Sequence, residues 1–126
     1  MTYHPLLGAL AIILALAAST VHAQSVPVVD AQGILHDAGG MTLYTYDPDA
    51  TGRSVCTGPC AKVWPPAMAT AGAVAHGPLD LAVREDGRRQ WAIHGHPLYG
   101  YVADVTPGQA SGDGVNGRWH IAHITP

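Results

Sequence analysis

The chain has 126 residues, a formal net charge of −3, 12% charged residues and no phenylalanine. Its six Lys and Arg residues are scattered or gathered in the short run Arg84, Arg88, Arg89, which Glu85 and Asp86 interrupt. The basic stripe that a nucleic-acid surface needs is therefore missing, and the 15 glycines and ten prolines suit turns between short strands.

The first element is an apolar run from Leu6 to Ala18, followed by Ser19-Thr20-Val21-His22-Ala23. Small residues at the −3 and −1 positions of a cut before Gln24 mark a signal peptide over 1–23. The run falls short of the ~20 residues that span a bilayer, so a membrane anchor is the weaker reading. No cysteine lies near the cut, which argues against lipid attachment there. The expectation is a periplasmic or secreted protein, soluble once the leader is removed, with residues 24–126 forming one domain.

Next come short strands: Val26 to Val29, Ile34 to His36, then a turn at Ala38-Gly39-Gly40 into Met41 to Tyr46. Cys56 and Cys60 follow. In an oxidising compartment two close cysteines read first as a disulfide, and Thr57-Gly58-Pro59 is turn chemistry that folds them together. Pro59 favours the start of a short helical turn. Lys62-Val63-Trp64 is expected to return as a strand that Pro65 and Pro66 stop or confine to an edge.

Residues 79–84 and 89–93 form a hairpin about Asp86-Gly87. His94-Gly95-His96-Pro97 turns the chain into Leu98 to Val102, and Arg118 to Ala122 closes the pattern. The second half thus repeats the first. Tyr44-Thr45-Tyr46-Asp47-Pro48-Asp49 recurs as Tyr99-Gly100-Tyr101-Val102-Ala103-Asp104 at an offset of 99 − 44 = 55. The same offset carries Trp64 to Trp119, Gly40 to Gly95, and the turn at 30–33 onto 85–88. Repeat one is expected over about 26–70 and repeat two over about 79–124. The fold class is all-β: a small antiparallel sandwich or partly closed barrel with pseudo-two-fold symmetry and at most short helical turns.

Tyr44-x-Tyr46-x-x-Asp49 and Tyr99-x-Tyr101-x-x-Asp104 resemble the Yx(FWY)xxD motif of a family of predicted bacterial lipoproteins, also called the secreted repeat of unknown function. The segment from Cys56 to Pro66 resembles that family's cysteine and tryptophan segment, and Gly95-His96-Pro97-Leu98-Tyr99 its Gly-x-Pro-Leu-Tyr segment. The resemblance implies life at the cell surface or in the periplasm and brings no activity with it. This chain departs from many relatives in having no lipid-attachment cysteine.

Several residues are candidates for chemistry. Tyr44, Tyr46, Tyr99 and Tyr101 with Trp64 and Trp119 could form an aromatic platform for a sugar, a cation or a flat ring. The plainer reading is that a chain without Phe builds its core from Tyr and Trp. Asp49 and Asp104 suit loop-holding carboxylates. Asp47-x-Asp49-x-Thr51-Gly52 imitates the start of an EF-hand loop, but the twelfth position would be Gly58 where a Glu is needed.

Six of the eight histidines follow the leader, and His94-x-His96 could give a metal two ligands. The Cys56-x3-Cys60 spacing also resembles the copper pair of Sco-type chaperones, without their βαβ context. No phosphate loop or nucleophile elbow is present. The expected function is a non-catalytic envelope protein that binds a partner or small ligand, with copper or zinc handling as the alternative.

Overall fold

The computed structural model describes residues 26–124, together with Thr2 and Gly8; the expected leader and its cleavage site lie outside the described residues. The elements in chain order are β1 (Val28–Val29), β2 (Leu35–His36), β3 (Tyr44–Tyr46), α1 (Pro59–Val63), β4 (Leu79–Val83), β5 (Arg89–Ile93), β6 (His96–Pro97) and β7 (Trp119–Ile121). They form three small antiparallel sheets, β1-β2, β3-β7 and β4-β5-β6. The fold is all-β with one short helix, and no closed barrel forms among the described residues.

The two repeats interlock. Leu35 N–H donates to Ala122 O at 3.0 Å, Ala122 N–H to Leu43 O at 2.8 Å, and Leu43 N–H to Leu35 O at 3.0 Å. Three strands thereby close a ring of backbone hydrogen bonds. The second repeat builds the same ring: Trp91 N–H to Ala67 O at 2.8 Å, Ala67 N–H to Leu98 O and Leu98 N–H to Trp91 O, each at 2.9 Å. Each ring takes two members from one repeat and the third from the other. Between the rings Tyr44 and Tyr99 exchange both backbone bonds, at 2.8 and 2.9 Å. The pseudo-two-fold axis passes through this pair.

Two cores result. An aliphatic cluster gathers Leu35, Leu43, Leu79, Ile93, Leu98 and Ala122 around Trp91. Burying each large side chain here stabilises the fold by about 1.5–3 kcal/mol. An aromatic cluster gathers Tyr44, Tyr99, Trp64, Trp119 and Cys56. The missing Phe is thus replaced twice over, by leucine in one core and by Tyr and Trp in the other.

Two expectations are corrected. Lys62 and Val63 belong to α1, not to a strand, and Trp64 N–H closes that helix on Cys60 O at 2.8 Å. Pro59 at its start lacks an N–H that would have had no helical acceptor. The extended segment begins only afterwards, where Gly100 N–H bonds Pro65 O at 2.7 Å and Ala67 joins its ring.

The ungapped offset of 55 also fails ahead of Gly40. The turn closed by Gly33 N–H on Asp30 O matches the one closed by Gly87 N–H on Arg84 O, so Arg84, not Glu85, is the counterpart of Asp30. The second hairpin runs four residues longer between Leu81 and Trp91 than the first between Val29 and Leu35. That is two per strand, and a two-residue extension keeps every side chain on its own face.

Candidate functional site

Each motif tyrosine serves the other repeat. Tyr44 Oη donates to Asp104 Oδ2 at 2.5 Å, and Tyr99 Oη donates to Asp49 Oδ2 at 2.6 Å. Both rings are fully buried. Burial first, and the carboxylate second, push both phenols well above their ordinary value of 10. The free carboxylate oxygens hold loops: Asp49 Oδ1 accepts Val55 N–H at 2.8 Å and Asp104 Oδ1 accepts Ser111 N–H at 2.9 Å, with Ser111 Oγ also bonded. Burial raises Asp49 above the ordinary 3.8. These four side chains are saturated by one another, by backbone and by the hydroxyls of Ser54 and Ser111.

Four further rings stack across the axis in the order Tyr46, Trp119, Trp64, Tyr101. The centroid separations are 4.1, 3.8 and 4.1 Å, with planes 18°, 4° and 16° apart. Neighbours in the outer pairs come from different repeats, so the stack is another cross-repeat contact. Tyr44 meets Trp64 edge-on at 5.5 Å, and Tyr99 meets Trp119 at 5.1 Å. Gly112 permits this packing, since a Cβ there would lie 2.8 Å from a Trp64 ring carbon and 2.9 Å from Tyr44. The two tryptophans are buried, and the terminal Tyr46 and Tyr101 are half-buried.

Cys56 and Cys60 are joined in a disulfide across the start of α1. The loop is tied to the second repeat by Arg84, which the sequence shows only as the first residue of a short basic run. Arg84 is 8% exposed, and its guanidinium donates to Cys56 O at 3.0 Å, Gln90 Oε1 at 2.7 Å and Ser54 Oγ at 3.1 Å. A buried cation with three acceptors is a structural strut, and truncating it would leave Gln90 Oε1 without its donor.

Each end of the stack opens into a groove. The larger, about 430 Å³, lies against Tyr101, and the smaller, about 230 Å³, against Tyr46. The two are counterparts. At the repeat offset Tyr101, Val102, Met41 and Met68 of the larger become Tyr46, Asp47, His96 and His123 of the smaller. Pro66 and Gly100 become Ile121 and Thr45, and Ile93, paired with His96, takes the place of Asp37, paired with Met41. Apart from His94, in the shorter turn, each residue lining the smaller groove has its counterpart in the larger. Methionines 41 and 68 had no signal in the sequence, because nothing local distinguishes a groove-lining Met from a core one.

His94 and His96 therefore share one groove with His123. Both are exposed, and His94 sits at φ +48° in the β5-β6 turn. His120 instead pairs with Asp47 at 2.8 Å. Among the described residues no three His, Cys, Asp or Glu side chains are placed to hold a metal ion.

A family described as a secreted repeat of unknown function matches residues 27–68 and 80–123, together well over half of the chain. No curated protein and no solved structure matches. No helix among the described residues is long and apolar enough to cross a membrane.

Proposed function

The chain belongs to the family of the secreted repeat of unknown function, and on that footing we propose that it is an exported, non-catalytic binding protein with two related ligand grooves. The observation that carries this reading is the correspondence of the grooves. A cavity formed once can be a packing accident, but here the same concavity recurs in both repeats, each time walled by the second tyrosine of the motif. The larger groove has the size of a small-molecule site. The saturated state of Asp49, Asp104, Tyr44 and Tyr99 supports a scaffold role for them, with recognition left to Tyr46 and Tyr101.

Amide NMR of the purified protein against a set of small ring compounds tests the reading. Ligands should shift resonances at Met41, Met68 and Tyr101, or at His96, His123 and Tyr46. Tyr101→Leu should remove the first set and Tyr46→Leu the second, each leaving the other groove responsive. Hits that leave both grooves unshifted, or chemical turnover of a bound compound, would overturn the proposal.

A further inference from the structure

The two grooves share a backbone frame and a tyrosine wall but differ in the chemistry of their lining. We infer that the Tyr101 groove takes a small apolar organic cation, a ring carrying an alkylated ammonium group. This rests on the reading that the grooves bind ligands. The lining of the Tyr101 groove holds two carboxylates, Asp37 and Asp104, and no Lys, Arg or His. Asp104 is occupied by Tyr44 and Ser111. Asp37 is not: Oδ1 accepts Gly39 N–H at 2.9 Å and Met41 N–H at 3.0 Å, while Oδ2 has no hydrogen bond among the described residues. Asp37 thus presents a fixed, half-buried carboxylate oxygen at the edge of an otherwise apolar trough.

The remaining wall suits the same ligand. Tyr101 has one ring face covered by Trp64 at 4.1 Å and lines the groove with the rest of the ring. A ring π-system attracts a cation placed against it. Met41 and Met68 supply polarisable thioether surface that adapts to an irregular apolar body. Trp91 also lines the groove and adds apolar ring surface to it.

The second groove is the internal control. There His96 and His123 replace the two methionines, His94 joins them, Ile93 stands where Asp37 does, and the one carboxylate of the lining, Asp47, is paired with His120 at 2.8 Å. That groove therefore offers a cation neither a carboxylate free of a side-chain partner nor thioether surface. The exchange of Met41 and Met68 for histidine marks the residues that set the difference.

The test uses the purified protein labelled at methionine methyls, titrated with benzyltrimethylammonium, with its uncharged carbon isostere neopentylbenzene, and with phenylacetate. The expected result is movement of the Met41 and Met68 methyls, with the cation bound roughly tenfold more tightly than the isostere. Asp37→Asn keeps Oδ1 for the turn and should abolish that preference while leaving isostere binding unchanged, which also shows that the variant is folded. Met41→His with Met68→His should weaken cation binding. Equal affinity for cation and isostere, or tighter binding of phenylacetate, would overturn the inference and leave the groove standing as a ligand site. No movement of either methyl with any probe would overturn the inference and the binding role of this groove together.

Discussion

Tyr44 donates its hydroxyl proton to Asp104, 60 positions further along the chain, at 2.5 Å. The bond is answered by Tyr99 and Asp49, so the motif that repeats within the sequence is completed only between its copies. A short phenol–carboxylate bond in a buried setting is stronger than a neutral one. Its loss also strands a carboxylate oxygen.

Tyr44→Phe should therefore cost about 1–3 kcal/mol, the usual penalty for an unpaired buried polar group. Urea unfolding followed by tryptophan fluorescence measures it. Tyr99→Phe should cost less, because Ser54 Oγ lies 2.6 Å from Tyr99 Oη and sits near the Asp49 carboxylate as a substitute donor. A null effect of both substitutions would show that the crossed pairs are incidental.

Alkaline pH probes the same pairs. The folded values of Tyr44 and Tyr99 lie above the ordinary 10, so above pH 10 the unfolded chain releases phenolic protons that the folded chain retains. Stability contributed by the two phenols is present below pH 10 and is lost as the pH rises beyond it. The wild type should show a falling urea midpoint there, with phenolate absorbance appearing as unfolding proceeds. The double variant Tyr44→Phe, Tyr99→Phe should start from a lower midpoint and fall less.

Gly112→Ala tests the close approach under the ring stack. The new methyl would meet Trp64 and Tyr44 ring atoms at 2.8–2.9 Å, and overpacking of this kind costs about 1–3 kcal/mol. The near-ultraviolet circular dichroism of the stacked rings should weaken with it. Gly72→Ala, whose added Cβ meets nothing within 4 Å, should leave stability unchanged or slightly raised.

Neither repeat should fold alone. A fragment of residues 26–70 lacks Ala122, the third member of its hydrogen-bonded ring, and both of its carboxylate-to-tyrosine partners. A fragment of 79–124 lacks Ala67 in the same way. Circular dichroism should show each fragment unfolded by itself and strand signal regained on mixing. A monomeric fragment that is folded in isolation would contradict the interlocked arrangement.

Particular residues show where sequence reasoning reached and where it stopped. The Asp86-Gly87 hairpin, the helical turn begun by Pro59 and the Cys56–Cys60 disulfide are decided over a few residues, and all three are present. Lys62 and Val63 misled, since a β-branched residue before Trp64 reads as strand while the helix launched at Pro59 is long enough to absorb both. The constant offset misled ahead of Gly40, since paired insertions in a hairpin leave its alternation intact and hide the change in length.

What the sequence determined by itself was local: turns, the cysteine loop, strand alternation, and the fact of duplication. The partner of each residue was decided only in three dimensions. With two nearly equivalent copies, Tyr44 has a carboxylate available five residues on and another in the second repeat, and composition is the same either way. An extended strand carries Asp49 away from Tyr44 at roughly 3.3 Å per residue, whereas the antiparallel meeting of Tyr44 with Tyr99 returns the partner's carboxylate to it. That crossing also builds the four-ring stack and both grooves, and it is why Met41 and Met68 come to line one groove while His96 and His123 line the other.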